Sequence, residues 1–277
     1  MPELFGLDAY APDKVAARVS DVGVRKARLP LTSLSLLGVL AGAFIGLGAL
    51  MFALVASDAA LSFASARLLG GLMFSLGLVL VNVAGAELFT GNNLLVMAWA
   101  ERRIGALEVL RNWCVAGGGN LVGAAGLAVM VWLAGVAGMN HGAVGRAIVG
   151  IATAKLQLPV SEAFFRGVLC NVLVCMAVWM GMAGRSVTDK VLGIVFPVTA
   201  FVAAGFEHCI ANMFFLPLAM LLGAPIDASA AIVSQLPVIA GNLVGGSVLV
   251  ALVYWTIYLR PRGQGAHPDR VREDQTR

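Results

Sequence analysis

Of the chain's 277 residues, 60% are hydrophobic and 12% charged, whereas about a quarter of a soluble domain's residues carry charge. That composition excludes an ordinary water-soluble domain and reads as an integral membrane protein. The net charge of +4 comes from basic residues set between apolar runs, so it calls for no nucleic-acid partner.

Residues 1–30 form a first unit, polar and with proline at Pro2, Pro12 and Pro30. Val15, Val19 and Val22 recur there at helical spacing, which predicts an amphipathic segment at the cytoplasmic surface. The first apolar stretch starts late and is too long for an h-region, so no signal peptide is expected. Residues 31–260 then hold six apolar runs, over 31–56, 69–99, 106–137, 160–183, 190–222 and 236–259. About 20 apolar residues cross the hydrocarbon core, and the second and fifth runs exceed that. Each carries Glu and Asn near its middle, so each is expected to be two half-helices around a short non-helical piece. The tail, 261–277, is Gly, Pro and charge and is expected to be disordered. Cys114, Cys170, Cys175 and Cys209 fall in apolar runs without metal-ligand spacing and read as packing residues.

Two internal echoes divide the six runs into repeats over 31–137 and 160–259. Gly119-Asn120-Leu121-Val122-Gly123 returns as Gly241-Asn242-Leu243-Val244-Gly245, and Gly85, Glu87 and Asn92 return as Gly205, Glu207 and Asn212. Three spans per repeat is an odd number, so the second repeat enters the membrane from the opposite face. All but four of the 19 Lys and Arg residues fall on one side under this segmentation; Arg67, Arg146, Lys155 and Arg166 take the other. The basic excess marks the cytoplasmic side and places both termini there. Glycines four apart in the repeated motif are expected to seat close helix packing.

Ionisable residues inside spans are costly, by about 2.5–3.5 kcal/mol at a helix centre, which singles out Glu87, Glu207 and His208. Both carboxylates sit at expected helix breaks, where freed backbone N–H groups need acceptors, and they read as loop-stabilising. His208 has no counterpart in the first repeat, where Leu88 stands, and reads as a pore-lining imidazole.

The stretches 86–92, 171–180 and 205–213, with Glu87-Leu88-Phe89-Thr90-Gly91-Asn92 and Gly205-Phe206-Glu207-His208 at their centres, resemble the signature segments of the formate/nitrite transporter family, most of all its formate channels. The likeness runs over roughly residues 10–260. It implies an all-α, aquaporin-like protomer of six transmembrane helices in a 3+3 inverted repeat, with interrupted second and fifth helices. It also implies a homopentamer with one pore per protomer in the inner membrane. By the same resemblance His208 is the central pore histidine, with Asn212 beside it and Thr90 in the first broken segment. Lys155 answers to a vestibule lysine, in the loop before the fourth span, and Asn171 to a polar position near the pore. Phe74, Leu78, Leu88, Phe89, Val174 and Phe201 answer to the apolar constrictions.

The implied activity is passage of small monovalent anions, formate ahead of nitrite, hydrosulfide and short monocarboxylates, with protons as partners and without a cofactor or metal. Two other classes compete. A neutral-solute channel fits the implied fold, but the paired Asn-Pro-Ala motifs of aquaporins are missing: Asn92 and Asn212 precede Asn93 and Met213. A membrane enzyme or electron carrier would need paired histidines or a cysteine cluster, and of His141, His208 and His267 only His208 falls within a span.

Overall fold

A computed structural model describes residues 9–260, which are helical throughout their regular structure. The first eight residues and the tail expected to be disordered, 261–277, lie outside that description. Helix α1, Pro12–Ala27, opens on a proline, carries Asp13 in its first turn and Arg25 and Lys26 in its last, each sign set against the helix dipole. Its apolar stripe does not face outward: Val15 and Val19 are buried against the polypeptide that follows Gly91 and against the helices described below as α4 and α7.

Four rods run without a break in helical structure: α2 (Leu31–Ala56), α5 (Ala106–Leu133), α7 (Val160–Ala183) and a last rod that begins as α10 (Ala228–Leu243), widens to i→i+5 turns over Val244–Leu252 and ends as α11 (Val253–Tyr258). These four, with Phe63–Gly85, are long and apolar enough to cross a membrane. Their outer faces stay apolar, with Leu36, Phe63, Val122, Leu133 and Phe165 exposed, as expected of helices solvated by lipid or by other apolar chains.

The repeated glycine motif does what its spacing predicts. A Cβ on Gly119 would stand 2.9 Å from the Ser35 carbonyl oxygen of α2, and one on Gly123 would overlap that of Val39. In the second half Gly241 and Gly245 meet the Phe164 and Val168 carbonyls of α7 in the same way. Backbone thus packs directly on backbone between α2 and α5 and between α7 and α10.

Both expected interruptions are present, with shifted ends. The first rod of this kind starts at Phe63, six residues before the apolar run suggests, as α3 (Phe63–Val79) followed by a wide turn over Leu80–Gly85. Residues 86–90 are non-helical; a 3-10 turn (Gly91–Leu95) and α4 (Val96–Ala100) complete it. The second is α8 (Val187–Ala203), non-helical residues 204–208, and α9 (Cys209–Leu221). Gly85 and Gly205 stop the leading helices at φ of 89° and 75°, backbone that glycine adopts without strain. Two further differences concern ends and connections. The third run ends at Leu133 and not at 137, and the connection after it contains helix α6 (Ala143–Leu156), where a loop was expected. Lys155 therefore stands in the last turn of a helix.

Candidate functional site

Non-helical backbone within an apolar bundle must find partners for its N–H and C=O groups, because each orphan costs about 1–3 kcal/mol. The repeated asparagines supply them. Asn120 on α5 accepts the Phe89 N–H at 2.9 Å and donates to the Glu87 and Gly38 carbonyls; Asn242 on α10 accepts the Cys209 N–H at 3.1 Å and donates to the Glu207 and Gly167 carbonyls. The Glu87 N–H reaches the Leu37 carbonyl, and the Glu207 N–H that of Arg166. Contact for contact, the two halves of the chain repeat one another.

Glu87 and Glu207 do other work than the sequence leads one to expect. Their carboxylates do not accept the freed backbone N–H groups, since Asn120 and Asn242 and neighbouring carbonyls already pair with the break. Each instead closes a Lys-Glu-Asn cluster. Lys26 lies 3.1 Å from Glu87 and donates to the Asn92 oxygen at 2.9 Å, while the Asn92 amide donates to Glu87 at 2.8 Å. Lys155 grips both oxygens of Glu207 at 2.9 and 3.0 Å, and the Asn212 amide donates to the same carboxylate at 2.9 Å. Both carboxylates are buried, 5% and 4% exposed, so pairing and hydrogen bonds offset their desolvation.

The Lys and Glu of each cluster line a cavity. The first, about 490 Å³, is bounded by Lys26, Glu87, Asn92, Leu78, Leu88, Arg18 and Lys190, among others. The second, about 260 Å³, is bounded by Lys155, Glu207, His208, Phe74, Phe201, Arg67 and Arg166, among others. Three cations and one carboxylate face each space, a balance that raises the local concentration of anions.

One polar pair joins the two interruptions. Thr90 of the first lies 3.0 Å, Oγ1 to Nε2, from His208 of the second, and both side chains are buried. His208 caps α9, its Nδ1 accepting the Ala211 N–H at 3.2 Å. A nitrogen that accepts bears no proton, so in the neutral ring the proton sits on Nε2 and is donated to the Thr90 hydroxyl. Phe201 stacks on the imidazole at 5.9 Å between centroids, and Phe74 meets Phe201 edge to face at 5.7 Å. The Thr90 carbonyl in turn accepts from Asn171 at 3.2 Å and from the Cys175 thiol at 3.5 Å.

Of the residues singled out in the sequence, Leu78 and Leu88 thus border the first cavity, and Phe74, Phe201, His208, Lys155 and Glu207 the second. Phe89 packs on Trp113 at 6.5 Å, Val174 lies in the core, and neither borders either of these two cavities. Asn171 ties α7 to Thr90, Asn93 and Asn242. Three residues escape the sequence reading: Asn120, Asn242 and Lys26. The repeated motif marks both asparagines, and Lys26 stands 129 positions before Lys155, as Gly38 stands before Gly167.

A family model described as formate/nitrite transporter matches residues 13–256. The formate channel FocA of Escherichia coli (strain K12) is 38% identical, covering 91% of this chain and 96% of its own. A probable formate transporter of Methanothermobacter thermautotrophicus is 35% identical over 92% of this chain and the whole of its own length. Among solved structures, a pentameric formate channel with formate bound superposes with a TM-score of 0.77 at 38% identity, covering 83% of this chain and 98% of its own. An FNT family ion channel gives 0.80 at 29% identity, covering 88% and 98%. With its apolar rods, paired interruptions and matching relatives, the chain is a multi-pass membrane protein of the formate/nitrite transporter family.

Proposed function

We propose that the two cavities are the opposite vestibules of one pore for small monovalent anions, with formate the preferred substrate. The observation that carries this reading is the paired Lys-Glu-Asn clusters, one per cavity, joined through the Thr90–His208 contact. The protomer is then an aquaporin-like bundle of six spans in a 3+3 inverted repeat, counting α3–α4 and α8–α9 as one interrupted span each. Both termini are cytoplasmic, the membrane is the inner membrane, and five copies assemble with a pore in each. Relatives named as formate channels, one of them solved as a pentamer with formate, support the substrate and the assembly.

The apolar side chains between the vestibules oppose a bare anion, because an unpaired carboxylate pays far more than thermal energy on leaving water. An anion drawn in by the vestibule cations crosses once it is neutralised by a proton. At the centre the His208 Nε2–H is the donor within reach, and it serves either as a hydrogen bond to the solute or as the point of proton exchange. Phe74, Phe201, Leu78 and Leu88 keep the passage dry, Phe89 and Val174 hold the packing behind it, and Asn212 and Asn171 fix the interruptions. Glu87 and Glu207 hold the lysines in place.

Uptake into proteoliposomes, with formate, nitrite, hydrosulfide, lactate and glycerol compared at two external pH values, tests the proposal. Formate flux is expected to lead and to rise with acidity, and His208→Phe is expected to flatten that pH dependence. Glycerol flux without anion flux would overturn the reading.

A further inference from the structure

We propose that Arg166, with Arg67, forms an oxyanion-docking site at the mouth of the second cavity, one that selects planar two-oxygen anions such as formate and nitrite over a compact anion such as hydrosulfide. This rests on the pore assigned above and adds a selectivity step ahead of it. Arg67 on α3 is fixed by donating from Nε to the Ala203 carbonyl and from one terminal nitrogen to that of Val202, both at 2.9 Å. Arg166 on α7 donates from one terminal nitrogen to Glu162 at 2.8 Å, with its other terminal nitrogen turned toward the cavity mouth. The two guanidiniums converge over Gly205. A Cβ at that glycine would lie 2.8 Å from the Arg67 nitrogen that holds the Val202 carbonyl and 4.0 Å from a terminal nitrogen of Arg166, so the bare glycine leaves room beneath the two side chains.

Both arginines border the same cavity as Lys155 and His208. Two like charges held this close repel, and an anion between them relieves the repulsion while accepting from the terminal nitrogen that each guanidinium has not already committed, one for each oxygen of a planar two-oxygen anion. The bland reading is that Arg166 only makes an i,i+4 surface pair with Glu162, worth little on an exposed helix. Asymmetry argues against it. The backbone carbonyl of Arg166 anchors the second interruption as that of Leu37 anchors the first, so the matched position in the other vestibule bears an apolar side chain. The anchor itself needs only the main chain, which leaves the side chain at residue 166 open to selection for a ligand.

The test is zero-trans uptake with the full-length chain in proteoliposomes of known orientation, with formate, nitrite and hydrosulfide as probes on the face that carries Arg166. Arg166→Leu is expected to raise the half-saturating concentration of formate and nitrite by about tenfold or more, the scale of a lost charge-assisted hydrogen bond, with hydrosulfide within about twofold. Arg166→Lys keeps the charge without the fork and is expected to fall between. Glu162→Gln releases the second nitrogen and is expected to lower the half-saturating formate concentration. Unchanged formate saturation in Arg166→Leu and Glu162→Gln would overturn the site, as would an equal change for hydrosulfide. Absence of formate flux in the unaltered protein would instead overturn the pore reading.

Discussion

At the scale of single residues, the least replaceable contact is the one between Thr90 and His208. The Ala211 N–H occupies His208 Nδ1, so the ring cannot swing Nε2 away from the Thr90 side without uncapping α9. Thr90 is the only described hydrogen-bond partner of Nε2. Thr90→Val keeps the volume but leaves a buried imidazole N–H unsatisfied, which costs about 1–3 kcal/mol. Without the hydroxyl that holds it, the His208 Nε2–H is no longer positioned for the solute, and formate flux is expected to fall about tenfold, the factor that ~1.4 kcal/mol represents, whereas Thr90→Ser keeps the hydroxyl and stays within about twofold of the parent. Uptake rates of the two variants, normalised to folded protein, measure the difference. Equal loss in both variants would show that the methyl packing, not the hydroxyl, is what matters at residue 90.

At the scale of elements, the interruptions are held from outside themselves. Asn120 and Asn242 each make three buried hydrogen bonds to backbone, two of them to interruption groups that no helix satisfies and one to a carbonyl within α2 or α7. Asn120→Ala and Asn242→Ala are each expected to destabilise the folded chain by about 3 kcal/mol or more, seen as a lower thermal midpoint in detergent by comparable amounts for the two. A large loss for one and none for the other would mean that the repeat is formal and not mechanical. The apolar runs, the two breaks and the glycine packing are legible in the sequence, because each is a local pattern of period or length. The tethering role of Asn120 is not, since its partners lie 31, 33 and 82 positions away and only the tertiary fold brings them together. Lys26 is hidden for a related reason: it ends an amphipathic segment, where a lysine looks like a surface charge, and only the packing of α1 turns it onto Glu87. Helix α6 is missed because an apolar stretch of 14 residues between two long spans has neither the length of a span nor the polarity of a loop.

At the scale of the whole molecule, the proposed inverted repeat makes a claim about sides. The α1 and α11 helices touch, and the Tyr10 N–H bonds the Ala183 carbonyl at the end of α7, so both described ends of the chain share one end of the bundle. The turn after α5 must then lie at the opposite end from the turn between α7 and α8. Met139 is half exposed in the former, and Thr188 is exposed in the first turn of α8 beside the latter. In a background with the exposed Cys114 replaced by Ser, Met139→Cys is expected to react with a membrane-impermeant maleimide in intact cells, and Thr188→Cys only after permeabilisation. The reverse pattern would put the termini outside and exchange the two vestibules, making the Lys26 cavity the outer one and carrying the Arg67–Arg166 pair to the cytoplasmic face. Labelling of both from one side would break the odd number of spans per repeat, and with it the pairing of Lys26 and Lys155 as counterparts across the membrane.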